Sequence, residues 1–495
     1  MAPPKPTILV LLSIVLATAS SDLLDFRVQN EYCDLPDELV SEIRSYQPTV
    51  NRIIDAVTKG KFKGAVYKEL ADFVDKFGAR VSGTRNLEDS IDHVLDSMRE
   101  KQLENVHGEN VTVPHWVRGN ESAEMLEPRK TNIAVISLGS SVGTPEEGIE
   151  AEVLVVRSFE ELDQANFSQA AKGKIIVFNS QYESYGKSVK FRSSGASKAA
   201  QHGAVAALIR SVTPFSMYTL HTGEQFYDDG VNKIPAVSIT VEDARMFQRY
   251  QDRGEKIVVR LRTNIQSLPE ATSRNVVGEI VGSEKPKKVV LVSGHIDSWD
   301  VGVGAMDDGG GAFISWYSLA VLKALGLRAR RTLRAVLWTA EEPGLIGFQA
   351  YDAAHKNELD DFIFAMESDE GTFTPLGLEY ATGAKGGCIL KEIMQLLAPI
   401  NATRVEPADA VGSDISLWAK KIPTGSLLNA NERYFWYHHS KSDTMDVLDP
   451  DNLDKAAALW AAVAYVIADL KEEFPRDFDE VRLDRSKLIK KLIKV

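Results

Sequence analysis

Histidines and carboxylates that fall just past short apolar runs are the residues of this sequence whose types and spacing can do chemistry. His295 and Asp297 follow Val289-Val290-Leu291-Val292, and Asp307 and Asp308 come next, ahead of Gly309-Gly310-Gly311. Glu341-Glu342 follow Leu337-Trp338-Thr339-Ala340, Glu367 and Asp369 come after the apolar run 362–365, and His438-His439 lie in a later loop. A single acid after a strand is ordinarily a helix cap or a solvated loop residue. Several acids and histidines delivered to one sheet edge are different, because glycine-rich backbone and buried carboxylates cost stability. Histidines and carboxylates without thiolates suit zinc, or less well manganese or cobalt. Two histidines and three carboxylates suffice for a pair of ions if one carboxylate bridges, and a water shared by such a pair becomes acidic enough to attack a carbonyl. A further carboxylate must take the proton. Glu341-Glu342 suits that division of labour, since adjacent residues leaving a strand point in different directions.

The elements that must position these groups alternate. From Asn275 onward, predicted strands at 289–292, 334–338 and 362–365 are interleaved with helices at 311–325, from about Gly344, and at 451–473. This pattern predicts an α/β fold, a mostly parallel sheet flanked by helices, with ligands at the carboxyl ends of its strands. Helical periodicity also covers 36–60, 66–77 and a stretch after Gly83. Between these parts, strands at 132–136, 152–156, 174–178, 205–209 and 257–261, with a helix at 196–202, predict an inserted α/β or β-rich unit.

The chain has 495 residues, more than one core normally serves, and a net charge of -13 that argues against a nucleic-acid partner. Lys5, the apolar run 8–16 and Ala17-Thr18-Ala19 read as a signal peptide over 1–19, and no later apolar run predicts a membrane anchor. The expected product is secreted, or lysosomal by the same route. Sequons at Asn110, Asn120, Asn166 and Asn401 fit that route. The further division is a propeptide at 20–45, a first catalytic part at 46–130, the insert at 131–268, a second catalytic part at 269–475 and a charged tail at 476–495. Cys33 and Cys388 are the only cysteines, and their separation in sequence leaves their pairing open. Gly139-Ser140-Ser141-Val142-Gly143 matches G-x-S-x-G, but Pro145 and an acidic stretch follow where a nucleophile elbow needs a helix.

Gly-His-x-Asp at 294–297, Asp-Asp-Gly at 307–309, Glu341-Glu342, Glu-Ser-Asp at 367–369 and His439-Ser440 together resemble the co-catalytic zinc exopeptidases of peptidase family M28. The resemblance implies two zinc ions per chain, one held by His295 and Asp369, the other by Glu342 and His439, with Asp307 bridging. It implies Glu341 as general base, Asp297 as the acid orienting His295, His438 as a neighbour of the ligand, and a cis bond between Asp307 and Asp308. It further implies a carboxypeptidase or dipeptidase acting on small peptides, a homodimer, and an insert similar to a protease-associated domain. Asp414, in Gly412-Ser413-Asp414, is expected to line the substrate pocket. The alternatives are an aminopeptidase with the same site, a single-zinc glutaminyl cyclase, and a non-catalytic binding ectodomain.

Overall fold

A computed structural model describes residues 33–478. The predicted signal peptide, the propeptide as far as residue 32 and the tail beyond 478 lie outside the described residues. Four helices come first: α1 (Asp37–Ser45), α2 (Gln47–Thr58), α3 (Ala65–Phe77) and α4 (Arg85–Glu100). The single helical period expected over 36–60 is divided at Tyr46, because Pro48 sits in the first turn of α2, where its missing N–H costs nothing. Leu39, Ile43, Val50, Ile53, Ile54 and Val57 of these two helices all enter the main core. Cys33 is disulfide-bonded to Cys388, with Cα atoms 5.3 Å apart. The segment up to 45, expected to be a propeptide, is therefore in its described part a built element of the body, and a cut there would leave 33–45 tethered.

The chain leaves along β1 (Glu104–Val117) and builds a second sheet before it returns. That insert runs through β2 (Glu121–Glu127), β3 (Thr131–Ile133), β4 (Val135–Ser137), β5 (Ile149–Val156), α5 (Phe159–Leu162), α6 (Ala165–Ala171) and β6 (Ile175–Phe178). It continues through α7 (Tyr185–Gln201), β7 (Ala206–Arg210), β8 (Ala236–Ile239), α8 (Val241–Asp252) and β9 (Val258–Thr263), in the order β3-β2-β9-β5-β6-β7-β8-β4. Its outer limits are the residues between Val117 and Gln266, which pair as the last rung of the antiparallel ribbon of β1 with β10 (Gln266–Ile280). The insert thus starts earlier than 131, because the acid-rich β2 carries little of the β-branched signal that marks a strand.

Beyond β10 come β11 (Lys285–His295), α9 (Gly310–Ala324), β12 (Arg331–Trp338), α10 (Ile346–Ala354), β13 (Phe362–Glu367) and β14 (Pro375–Ala381). The chain then forms α11 (Ala384–Gln395), β15 (Arg404–Pro407), β16 (Thr424–Asn429), α12 (Tyr434–Tyr437) and α13 (Pro450–Asp469). The main sheet has the order β1-β10-β12-β11-β13-β16-β14-β15, with β12, β11, β13 and β16 parallel at its centre. Helices α9 and α13 are buried on nearly every side against one face, while Trp338, Phe348, Tyr351 and Trp418 pack on the other. A sheet covered on both faces explains why its central strands read as continuous apolar runs. Among the described residues no helix is long and apolar enough to cross a membrane. The charged tail begins in contact with the body: Arg476 donates to the Lys421 carbonyl at 3.2 Å, and Asp477 accepts the Lys385 N–H at 2.6 Å.

Candidate active site

Parallel register brings the chemistry together. His295, the last residue of β11, stands level with Trp338 on β12, and Ser293 with Glu367 on β13. Residues just beyond these rungs, Glu341, Glu342 and Asp369, therefore reach the same edge. The loop after β11 must then turn back on the strand. Asp308 pins that turn by accepting the N–H groups of His295 and Gly311, each at 3.0 Å. A Cβ on Gly311 would lie 1.8 Å from the Ser368 carbonyl oxygen, so only glycine allows the approach. With Asp308 directed inward, Asp307 carries the free carboxylate, and the peptide bond between them is cis.

Asp307 lies between the two halves of the site. Its Oδ1 is 3.3 Å from His295 Nε2, and its Oδ2 is 3.3 Å from His439 Nε2. Asp369 Oδ1 is 3.3 Å from His295 Nε2, and Glu342 Oε2 is 2.9 Å from His439 Nε2. Within the resulting groups, His295 with Asp307 and Glu342, and Asp307 with His438 and His439, each residue offers a donor atom within 4.8 Å of the others. Asp307 Oδ2, Glu342 Oε1 and Asp369 Oδ1 are buried with no hydrogen-bond partner in the protein. Burial pushes the Glu342 and Asp369 carboxyls well above their ordinary values, and holds His438 and His439 well below theirs. Burial opposes charge on His295 too, but Asp369, Asp297 and Asp307 outweigh it. Two imidazoles that burial keeps neutral, a third drawn to the acids, and crowded carboxylates with unpartnered oxygens form a donor set that a divalent cation completes, and one without thiolates is the kind zinc takes. His438 stacks on His439 at 3.6 Å between ring centroids and is 3.5 Å from Asp307 Oδ2, so it belongs to the wall of the site.

Asp297 contacts His295 with both its main chain and its side chain, and it does more besides. His295 Nδ1 meets the Asp297 backbone carbonyl at 3.0 Å, while the Asp297 carboxylate, 3.7 Å from that nitrogen, accepts the N–H groups of Glu341 at 3.0 Å and Glu342 at 3.3 Å. One residue thereby fixes a histidine by its main chain and the two glutamates by its side chain. Glu341 Oε1 accepts the Ser413 hydroxyl at 2.5 Å, and burial raises its carboxyl above the usual range. Asp414 does not line the cavity. It is fully buried beneath the floor beside Glu367, whose carboxylate is held by Trp338 Nε1 and the Ile415 N–H, each at 3.0 Å.

Several supporting residues gave no sequence signal. Asp443 accepts the Met306 N–H at 2.7 Å and the Asp307 N–H at 3.2 Å, holding the backbone that presents Asp307. Buried Arg80 donates to the carbonyls of Ile296 and Val303 at 2.6 Å and Gly304 at 2.9 Å, fastening both ends of the same loop. The insert contributes as well. Thr222 donates its N–H to the His439 carbonyl at 2.9 Å, its own carbonyl lies 3.3 Å from His439 Nδ1, and His221 Nδ1 lies 2.7 Å from the His438 carbonyl. This clasp holds His439 at a φ of 57°, a left-handed conformation that a histidine seldom adopts unaided. Asp307, Glu341, Glu342, Asp369, His438 and His439 face a cavity of about 330 Å³, which Tyr185 and Arg192 of α7 also line.

Residues 275–464 match the model of peptidase family M28. The sequence is 51% identical to carboxypeptidase Q of Xenopus laevis over 437 residues, covering 88% of this chain and 92% of that protein. It is 50% identical to carboxypeptidase Q of Homo sapiens over 441 residues, covering 89% and 93%. The fold superposes on a peptidase M28 precursor from Shewanella amazonensis with a TM-score of 0.83 at 30% identity, covering 88% of this chain and 99% of that one. A zinc aminopeptidase of Bacillus subtilis shares the fold at 20% identity and a TM-score of 0.64, over 85% and 99%. The chain belongs to peptidase family M28.

Proposed function

We propose that this chain is a secreted or lysosomal metallo-exopeptidase, a carboxypeptidase or dipeptidase that hydrolyses small peptides with two zinc ions per chain. The observation that carries the reading is the Asp307 carboxylate, which offers one oxygen to each of two histidines that each have a second carboxylate beside them. His295 and Asp369 would hold one ion, Glu342 and His439 the other, and Asp307 both. Zinc in such a pair supplies an acidified water and polarises the scissile carbonyl. The remaining work belongs to the chain. Glu341, oriented by Ser413 and by Asp297 through its N–H, takes the proton from the attacking water and passes it to the leaving amine. Its raised affinity for protons suits that shuttle. The cavity holds the peptide against the metal ligands. The names of the curated relatives support cleavage at a carboxyl end, and the exposed asparagines 110, 120, 166 and 401 support passage through the secretory route. Pairing into a homodimer is part of the same proposal.

The test is Glu341→Gln. It is expected to keep the zinc content of the wild type while turnover of a dipeptide falls at least about a hundredfold, the lower range for a general base. Turnover near that of the wild type removes Glu341 from the role.

A further inference from the structure

Four strands of the main sheet place a row of polar residues beside the active-site cavity. Glu406 on β15 is level with Glu379 on β14, Glu379 with Ser426 on β16, and Ser426 with Glu367 on β13, just before Asp369. Residues directly opposite in paired strands send their side chains to one face, so Glu406, Glu379 and Ser426 share the face on which Glu367 lies. Glu379 and Ser426 line the cavity, and Glu370, next to Asp369, joins them. Ser426 is 7% exposed, its open side is the cavity, and among the described residues its hydroxyl forms no hydrogen bond. Among the same residues Glu379 forms neither a hydrogen bond nor an ion pair. Burial, then Glu370 and Glu406, push its carboxyl up, so the charges that act on it are of its own sign. Glu370 accepts the Asn431 amide at 2.7 Å through one oxygen and has no cationic partner among the described residues. The cavity's single basic side chain, Arg192, stands beside His439 and forms no ion pair with these acids. A carboxylate on a cavity wall that meets only like charge is costly, and an arriving cation offsets the cost. A metal ion does not fit here. Among the described residues, the donor groups close enough together to hold one all belong to the centre above, and Glu370, Glu379 and Glu406 are not among them.

We propose that Glu379, Glu370 and Ser426 form a subsite for a cationic side chain, so that this enzyme selects small peptides carrying lysine or arginine beside the scissile bond. The inference rests on the peptidase reading above and deepens it. Reach decides between a side chain and the amino terminus. Glu379 lies two strand spacings from β13, about 10 Å across the sheet. An α-ammonium stands next to the scissile carbonyl and stays near the metal ligands. A lysine stem and the Glu379 side chain, extended towards each other, cover the gap. At the end of that stem the ammonium donates to both carboxylates and to the Ser426 hydroxyl, all of which accept.

The experiment measures kcat/KM of the zinc-loaded full chain on lysyl-alanine and alanyl-lysine, each beside the dipeptide with norleucine in place of lysine. The wild type is expected to favour lysine by about tenfold or more in at least one of the two positions, the range for a charge-assisted hydrogen-bonded group. In Glu379→Gln that preference should fall towards unity, the loss on the lysine peptide exceeding the loss on the norleucine peptide about tenfold, with the zinc content of the wild type. Glu370→Gln and Ser426→Ala should each remove part of it, and Glu379→Lys should turn the order towards the matching glutamate dipeptide. A wild type that takes norleucine as well as lysine in both positions overturns the proposal and leaves the peptidase reading intact. A lysine preference that survives Glu379→Gln, with equal losses on both peptides, also overturns it and assigns the acids to the amino terminus that all the peptides share. If Glu379→Gln does not fold, Glu370→Gln decides, an unchanged preference overturning the proposal and a reduced one supporting it. A zinc-loaded wild type that cleaves none of these peptides fails the peptidase reading itself.

Discussion

Asp307 gives the two halves of the site a common member, with one carboxylate oxygen facing His295 and the other facing His439. Loss of a residue that serves both halves should differ from loss of a residue that serves one. In Asp307→Ala, zinc counted per chain by elemental analysis is expected to fall at both positions, whereas Asp369→Ala should spare the Glu342 and His439 position. Retention of one ion in Asp307→Ala would remove the bridge. His295, Asp307, Glu341, Glu342, Asp369 and His439 were legible in the sequence because each follows a predicted strand or lies in a loop beside one, and parallel strands deliver such residues to one edge. Ser413, Asp443 and Arg80 were not, since their parts depend on where distant loops fold back, which no local spacing encodes. Asp414 was misread for the same reason. An acid in a Gly-Ser-Asp turn looks bound for solvent or substrate, yet the chain path puts it under the floor, against Glu367.

At the scale of elements, the start of β1 is held by charge rather than by packing. Glu104 accepts the Val281 N–H at 2.9 Å and an Arg328 N–H at 3.0 Å, and it also meets Lys323. Hydrogen bonding to Arg328 comes first among the causes that hold its carboxyl down at about 2. A folded pKa below the unfolded one means a contribution that is complete above the unfolded value, about 4.3, and lost as pH falls below it. Thermal melts of wild type and Glu104→Gln should therefore differ at pH 6 and converge as pH is lowered from about 4.3 towards 2. A constant difference across that window excludes ionisation of Glu104 as its source. The buried strands β11, β12 and β13 were clear in the sequence, because parallel strands covered on both faces are continuous apolar runs. The short strands β14, β15 and β16 were not recognised, and β2 was missed, since Pro375, Gly377 and alternating acids dilute their signals.

For the whole molecule, the Cys33–Cys388 bond ties the first described residue to α11 across 355 positions of sequence. Such a link restricts the unfolded chain far more than the folded one, and removing a native disulfide typically costs about 2–5 kcal/mol. Cys33→Ser is expected to lower the midpoint of thermal unfolding while leaving kcat within about twofold of wild type, because the bond lies outside the catalytic groups. An unchanged midpoint would mean that α1 is held by its buried Leu39 and Ile43 alone. The pairing could not be read from two cysteines so far apart, nor could the ribbon of β1 and β10 that carries the insert away and back. The clasp of His221 and Thr222 on His438 and His439 bears on how this architecture can change. An excised catalytic sheet would keep every proposed ligand but lose the main-chain groups that fix His439, so the two units are not interchangeable modules. Grafting another domain onto the ribbon would require the newcomer to reproduce one short turn in register with a histidine in the loop after α12.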